Sequence, residues 1–233
     1  MKFNGLIVAA ATVALPAAAA AAPSPLAVSY NVGATTDYVF RGVSQSRGEP
    51  AVFAGVDAVR GQAYGGLWAS NVDFSAFGDR STSVEIDAYG GWRPTIEGFG
   101  LDVGLLYTGY LDQPRPGPRL DYWEASVAAS KSLGPITVGG SLFYSPAFID
   151  TRRGAWYLEA AAAYRISDRV SVSGALGRQS LQSSSDDYTT WNAGLVWSLK
   201  PGLSLDLRYY GTDRRELDDP FHARGVASLK AAF

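Results

Sequence analysis

The sequence predicts an all-β protein, a transmembrane up-and-down antiparallel β-barrel of about 12 strands with short periplasmic turns and longer extracellular loops. Three observations carry this prediction. Apolar and polar residues alternate through most of the chain. Short and long connections also alternate between the apolar stretches. Tryptophan and tyrosine lie on the apolar side near the predicted strand ends.

Length and composition narrow the possible functions. The chain has 233 residues, a formal net charge of -2 and no cysteine. This length suits one large all-β domain or two small ones. The lack of cysteine excludes disulfides, thiolate metal sites and a cysteine nucleophile. A nearly balanced charge argues against nucleic acid as a partner, because nucleic acid requires a basic surface.

The N-terminus has the pattern of a secretory signal peptide. Lys2 precedes an apolar stretch over 5–15, and an alanine run ends at Ala22. A transmembrane anchor is disfavoured because the apolar stretch is shorter than the ~20 residues that a spanning helix needs. We therefore expect a cleaved signal peptide at 1–22 and a single outer-membrane barrel domain at 23–233.

The alternation begins just after the signal peptide. Val28, Tyr30 and Val32 share one parity, and the same parity continues to Tyr38 and Phe40. A strand buries or exposes alternate residues together. We expect the first strand to run to about residue 41, with Tyr38 and Phe40 facing lipid or its outer interface. On the other parity, Asp37 and Arg41 would then face the lumen near the extracellular end.

Connection lengths give the topology. The long polar connections are predicted at 43–50, 75–82, 111–120, 146–154, 180–186 and 211–222. The short ones are predicted at 60–63, 94–100, 133–135, 167–169 and 200–202. Strict alternation places both termini on the short-turn side, as in an even-stranded barrel.

Two other all-β folds compete with this prediction. A soluble sandwich favours bulky branched residues on its apolar face, and a lipocalin-like barrel turns its apolar side inward. Here the apolar face is rich in Ala, Gly and Leu at mid-strand, with amphipathic rings near the strand ends. These rings are Trp92, Trp123, Tyr144, Trp156, Tyr164, Trp191, Trp197 and Tyr209. Rings at both strand ends indicate an aromatic girdle at a membrane interface.

The chain ends on an aromatic residue. Leu229, Ala231 and Phe233 share one parity of the last predicted strand. A terminal aromatic is typical of the signal read by the outer-membrane barrel assembly machinery. We therefore expect this machinery and outer-membrane lipids as partners, with Phe233 as the assembly signal.

Two stretches resemble a known family. "TTDYVFRGVSQSRGEPAV" at 35–52 and "GLWASNVDF" at 66–74 are similar to the TorF-type porin family of Gram-negative outer-membrane β-barrels. The motif match covers roughly 30–92. The resemblance implies an outer-membrane location and a channel, and it supplies no catalytic residue.

The polar parity supplies the lumen and selectivity candidates. On the early strands these are Asp57, Asn71, Asp73, Glu85, Asp87, Asp102 and Glu124. The basic candidates are Arg41, Arg165, Arg178, Arg208, Arg224 and Lys230, on the first and the later strands. Asp37, Glu159 and Asp206 depart from this division. The sequence thus predicts an acidic wall opposite a basic wall, with Glu85 and Asp87 facing Arg208 and Arg224.

These features favour a porin-like channel for passive diffusion of small polar solutes. The alternative is a structural or adhesive barrel whose lumen is closed by salt bridges. Twelve strands lie between barrels that side chains fill and barrels that they cannot fill.

A third interpretation is a lipid-modifying outer-membrane enzyme, which would need a histidine beside a serine. The one histidine, His222, lies in the last long loop without a nucleophile motif. The acids Glu216, Asp218 and Asp219 beside it could hold Ca²⁺, but a run that includes Arg214 and Arg215 is typical of solvated surface. We expect no enzyme activity, no cofactor and no metal.

Overall fold

The computed structural model describes residues 25–114, 119–149, 153–181, 186–214, 216–217 and 219–233. The predicted signal peptide at 1–22 lies outside these residues. Over the described part of the chain, no helix is long and apolar enough to cross a membrane.

Fifteen strands form in the described residues. In chain order they are β1 Ala27–Thr35, β2 Val39–Phe40, β3 Val43–Ser44, β4 Ala51–Arg60, β5 Ala63–Asn71, β6 Val84–Trp92, β7 Thr95–Ile96, β8 Phe99–Leu111, β9 Tyr122–Leu133, β10 Ile136–Phe148, β11 Arg153–Arg165, β12 Val170–Leu181, β13 Tyr188–Lys200, β14 Leu203–Thr212 and β15 Arg224–Ala232. Two 3-10 turns, Ser75–Phe77 and Asp219–Phe221, lie in the connections.

Twelve of these strands form a closed antiparallel barrel, which confirms the predicted fold class. Each barrel strand pairs with its neighbours in chain order, and β1 pairs with β15 to close the sheet. At the seam, the backbone of Tyr30 exchanges hydrogen bonds of 2.8 and 3.0 Å with Phe233. The short β7 is an extra strand that pairs with the start of β8.

The two ends of the barrel differ as predicted. At one end, called here the short-turn end, tight connections at 61–62, 134–135 and 201–202 join the strands. Gly61, Gly134 and Gly202 have φ angles of 62°, 65° and 76°, which glycine adopts without steric cost. At the other end, called the long-loop end, the connections include 36–50, 72–83 and 213–223.

The outer face carries the predicted apolar parity. Large apolar side chains exposed there include Val28, Val32, Val52, Leu67, Val103, Leu105, Val127, Leu158, Leu176, Leu207 and Leu229. Of the predicted girdle residues, Trp92, Trp123, Tyr144, Trp156, Tyr164, Trp197 and Tyr209 are exposed on this face. An isolated barrel that exposes this much apolar surface requires a lipid environment.

The first strand is shorter than predicted. It ends at Thr35, and the residues that follow turn back into the barrel as the β2–β3 hairpin. Tyr38 is buried inside the barrel, so its predicted position against lipid is wrong. A hairpin arm has the same two-residue period as a barrel strand, which is why alternation alone extended β1 too far. The distinguishing signal is Arg41–Gly42, whose φ angles of 48° and 81° match a two-residue type I′ turn between β2 and β3.

Candidate functional site

The candidate site is the lumen of the barrel, which is occupied toward its long-loop end by residues 36–50. We call this segment the inward hairpin. Most of its side chains are buried although the segment connects two surface-exposed strands. The buried ones are Asp37, Tyr38, Val39, Arg41, Val43, Ser44, Gln45 and Ser46.

One side of the inward hairpin packs on an aromatic layer. The Tyr38 hydroxyl donates a 2.6 Å hydrogen bond to Glu85 on β6, and its ring meets the edge of Trp68 with centroids 5.3 Å apart. Tyr110 and Tyr122 belong to the same buried cluster. Trp68 therefore faces the lumen, and this half of the lumen is filled with aromatic side chains.

Arg41 binds the opposite wall. Its guanidinium donates to Glu124 on β9 through two hydrogen bonds, of 2.9 and 2.8 Å, and to the Gln179 side-chain oxygen at 3.1 Å. The cation also lies 4.3 Å from the Tyr157 ring centroid and 5.1 Å from that of Phe143. A bidentate Arg–carboxylate pair with aromatic contacts holds the hairpin tip at a defined position.

Asp37 organises the base of the hairpin. It accepts hydrogen bonds from Ser44 at 2.6 Å and from Ser46 at 2.9 Å. Arg224, at the start of β15, forms a 2.7 Å ion pair with the other carboxylate oxygen. Asp37 thus forms hydrogen bonds within the hairpin and an ion pair with the barrel wall beside the seam.

The hairpin also contacts the wall formed by β13, β14 and β15. Val39 forms a buried cluster with Tyr210 and Val226. A Cβ atom at Gly42 would lie 2.3 Å from the Thr190 hydroxyl oxygen, so only glycine fits at this approach. With contacts on β5, β6 and each strand from β9 to β15, the inward hairpin stretches across the lumen.

Toward the short-turn end, the lumen is polar and reached by solvent. Arg208 donates to Asn192 at 2.7 Å, to Ser173 at 3.0 Å and to Asp206 at 3.2 Å. The Asp206 side chain is 25% exposed, against 2% for Glu124 beside the hairpin. Solvent therefore reaches Asp206, whereas Arg208 and the side chains beside the inward hairpin are buried.

Three further wall carboxylates accept hydrogen bonds from neutral hydroxyls. Asp57 accepts from Tyr89 at 2.5 Å, and Asp87 accepts from Thr108 at 2.7 Å. Glu159 accepts from Tyr157 at 2.8 Å. These donors, with Gln179 and Trp68, are not among the lumen residues predicted from the sequence. Their signal was an aromatic or amide side chain on the polar parity of a strand, which indicates a partly filled lumen.

Most of the predicted lumen residues lie on the inner wall or in the inward hairpin. On the wall these are Asp57, Glu85, Asp87, Asp102, Glu124, Glu159, Asp206, Arg208, Arg224 and Lys230, and in the hairpin they are Asp37 and Arg41. Arg165 is exposed at the short-turn end of β11.

Three predicted positions are wrong. Asn71 has the outward parity, and its side chain accepts from the Val52 backbone at 2.7 Å. Asp73 lies beyond β5 in the 72–83 connection, where hydrogen bonds from the Ser75 hydroxyl and backbone N–H lower its pKa. Arg178 is half-exposed on the outer face with Asp187 and Asp213 nearby. In each case a polar residue at a strand end stabilises a loop or a strand terminus.

The predicted pairing of an acidic wall with an opposite basic wall is also wrong. Arg208 contacts Asp206 on its own strand, and Arg224 contacts Asp37 of the hairpin. Neither reaches Glu85 or Asp87. The base that reaches an acid of the early strands is Arg41, which pairs with Glu124 because the hairpin carries it there.

The last long loop holds His222. Its Nε2 atom lies 3.1 Å from the Leu217 carbonyl, and its Nδ1 atom lies 3.6 Å from an Asp219 carboxylate oxygen. Asp218, predicted as a further acid there, lies outside the described residues. In the described ranges, no group of three or more His, Cys, Asp or Glu side chains is placed to hold a metal ion.

The closed twelve-strand barrel with an apolar outside and a polar inside defines a porin-type fold. Residues 19–231 match the family described as a bacterial protein of unknown function (Gcw_chp), and the chain belongs to that family. No curated protein matches the chain.

Solved outer-membrane proteins share the fold. The KdgM porin is 10% identical with a TM-score of 0.58, covering 88% of this chain and 99% of its own. The NanC porin is also 10% identical, with a TM-score of 0.56 over 88% of this chain and 98% of its own. An outer membrane channel from Pseudomonas putida F1 is 14% identical, with a TM-score of 0.51 over 92% of this chain and 96% of its own. At these identities the likeness concerns the fold.

Proposed function

We propose that this protein is a porin-like channel of the bacterial outer membrane for passive diffusion of small polar solutes, with the inward hairpin as its constriction. In this proposal the short-turn end faces the periplasm and the long loops face outward. A cleaved signal peptide and the barrel assembly machinery bring the chain there. The TorF-type resemblance of 35–52, the segment that contains the hairpin, supports the same proposal.

The observation that carries the proposal is the solvent-reached polar lumen that ends at the hairpin. On the inner wall, Asp206 is 25% exposed and Asp102 is 31% exposed, while Arg208 beside Asp206 is buried. The wall is hydrophilic and leads toward the inward hairpin, which connects β1 to β4.

A second candidate is a closed structural or adhesive barrel, and one observation favours it. Arg41 and Glu124 are 4% and 2% exposed, and aromatic side chains surround the hairpin. If this arrangement never loosens, it seals the long-loop half. The candidates therefore differ in whether the hairpin permits conduction.

Planar-bilayer recording separates the two candidates. Purified protein in salt should give small, discrete conductance steps. A variant with residues 38–46 replaced by a short Gly/Ser linker should give larger steps, because the constriction is gone. Arg47→Ala, an exposed change within the same segment, should conduct like the unmodified protein.

Two controls complete the test. Heat-modifiable migration on gels verifies that each variant is a folded barrel. An unmodified protein that is silent while the linker variant conducts would support the closed barrel, and silence of both folded proteins would refute the channel.

A further inference from the structure

The carboxylates of the lumen are neutralised unequally. Four of them form ion pairs with arginine, namely Asp37–Arg224, Asp102–Arg93, Glu124–Arg41 and Asp206–Arg208. Four others accept hydrogen bonds from neutral hydroxyls, namely Asp57 from Tyr89, Glu85 from Tyr38, Asp87 from Thr108 and Glu159 from Tyr157. A hydroxyl donor fixes a carboxylate without cancelling its charge.

Basic groups near this second set are few. Lys230 interacts electrostatically with Asp57, and the fields of Arg41 and Arg208 reach Glu159. Both arginines already hold acids of their own. Among the described residues, one lysine therefore lies near four carboxylates that have no arginine partner of their own.

Three buried carboxylate or amide oxygens have no hydrogen-bond partner in the described part of the chain. Two of them, on Glu159 and on Asn31, belong to this second set or to its hydrogen-bond partners, and the third is Asp206 Oδ1. The Asn31 side chain donates its amide to Asp57, while its own Oδ1 atom has no hydrogen-bond partner among the described residues. Glu159 is 3% exposed, and its Oε1 atom also has no partner in the described part of the chain. Buried acceptors without a partner are costly, and a cation or an N–H donor satisfies them.

Asp57, Asp87 and Glu85 follow one another along a single side of the lumen. Asp57 lies on β4 toward the short-turn end, and Glu85 lies on β6 beside the inward hairpin. Tyr89 donates to Asp57 at 2.5 Å and lies two residues from Asp87 on the same face of β6, so its ring lies between the two acids. We call these three residues the acidic wall.

We propose that the channel selects cations, and that small cationic solutes are the class it carries along the acidic wall. This inference rests on the proposed function. A charged wall in a narrow pore raises the local concentration of counter-ions and lowers that of co-ions. Inorganic cations and small organic ammonium ions share this chemistry.

The test is the reversal potential of single channels under a KCl gradient at pH 8. The unmodified channel should favour K⁺ over Cl⁻. The double variant Asp57→Asn/Asp87→Asn removes two charges but keeps side-chain oxygens that can accept from the Tyr89 and Thr108 hydroxyls. It should lower the permeability ratio of K⁺ to Cl⁻ at least about two-fold. Glu159→Gln should also lower the permeability ratio of K⁺ to Cl⁻.

Glu49→Gln is the matched control, since Glu49 is an exposed acid of the long-loop end. It should leave the ratio unchanged. A conducting channel without cation preference, or with a ratio that the lumen variants do not alter, would overturn this inference alone. If neither the unmodified protein nor the linker variant conducts, the proposed function is overturned as well.

Discussion

Arg41, at the tip of the inward hairpin, and Glu124, on the wall strand β9, form a buried ion pair with two hydrogen bonds of 2.9 and 2.8 Å. The two residues are 83 positions apart in the chain. The pair fixes the tip of the inward hairpin against the barrel wall. It therefore links the geometry of the lumen to the stability of the fold.

Removing one partner should destabilise the protein. Arg41→Ala leaves Glu124 as a buried charge without its counter-ion, at a cost of about 3–5 kcal/mol. Arg47→Ala is the matched control, because Arg47 also has a positive φ, 58° against 48°, yet is exposed. Urea unfolding in detergent micelles would compare the two variants. Equal midpoints would show that the ion pair adds no stability.

The double change Arg41→Met/Glu124→Leu should be much milder than Arg41→Ala. Replacing both members of a buried pair by apolar residues leaves no uncompensated charge. The same urea titration measures it. A double variant as unstable as Arg41→Ala would indicate that the cation–π contacts of Arg41, and not the ion pair, dominate.

Close packing at the hairpin turn gives another prediction. Gly42→Ala should displace the tip, because a Cβ atom would lie 2.3 Å from the Thr190 hydroxyl oxygen. Gly61→Ala has a similar backbone cost at φ 62°, but nothing lies within 4 Å of its Cβ position. Protease digestion of folded protein should cut the 36–50 segment faster in Gly42→Ala only. Matching digestion patterns would contradict the tight approach.

The sequence predicts the barrel strands and their outer face better than it predicts the contacts inside the lumen. Exterior residues such as Leu158 and Trp123 alternate with polar ones because lipid contacts only one face of a strand. The inward hairpin has no such one-sided environment, since both of its faces meet protein. Tyr38 thus looked like a lipid-facing residue. Which acid an arginine meets depends on the path of the 36–50 loop, and alternation carries no information about that path.

The two faces of β9 should respond differently to the same change. Val127→Arg places a cation in lipid near mid-strand, at a cost of about 2–4 kcal/mol. Ala128→Arg, one residue away, points into the lumen on the row that pairs with Asp102. Folding yield into lipid vesicles should fall for Val127→Arg and stay close to normal for Ala128→Arg. The opposite order would reverse the assignment of inside and outside.

The seam should depend on the last residue. Phe233 closes the barrel through its backbone bonds to Tyr30, and the two rings stack with centroids 6.3 Å apart. Deleting Phe233 should reduce the folded fraction in the outer membrane and increase degradation, whereas Phe233→Tyr should preserve assembly. Immunoblots of membrane fractions would measure this. Normal levels of the deletion variant would remove Phe233 from the role of assembly signal.

The central claim is that the inward hairpin sets the conductance of an outer-membrane channel. Single-channel recording of the unmodified protein beside Arg41→Ala tests it most directly, with Arg47→Ala as the control. We expect small steps for the unmodified protein and Arg47→Ala, and larger or more variable steps once Arg41 no longer holds the hairpin against Glu124. Identical steps in all three folded proteins would contradict the claim, because the hairpin would then not lie in the conducting path.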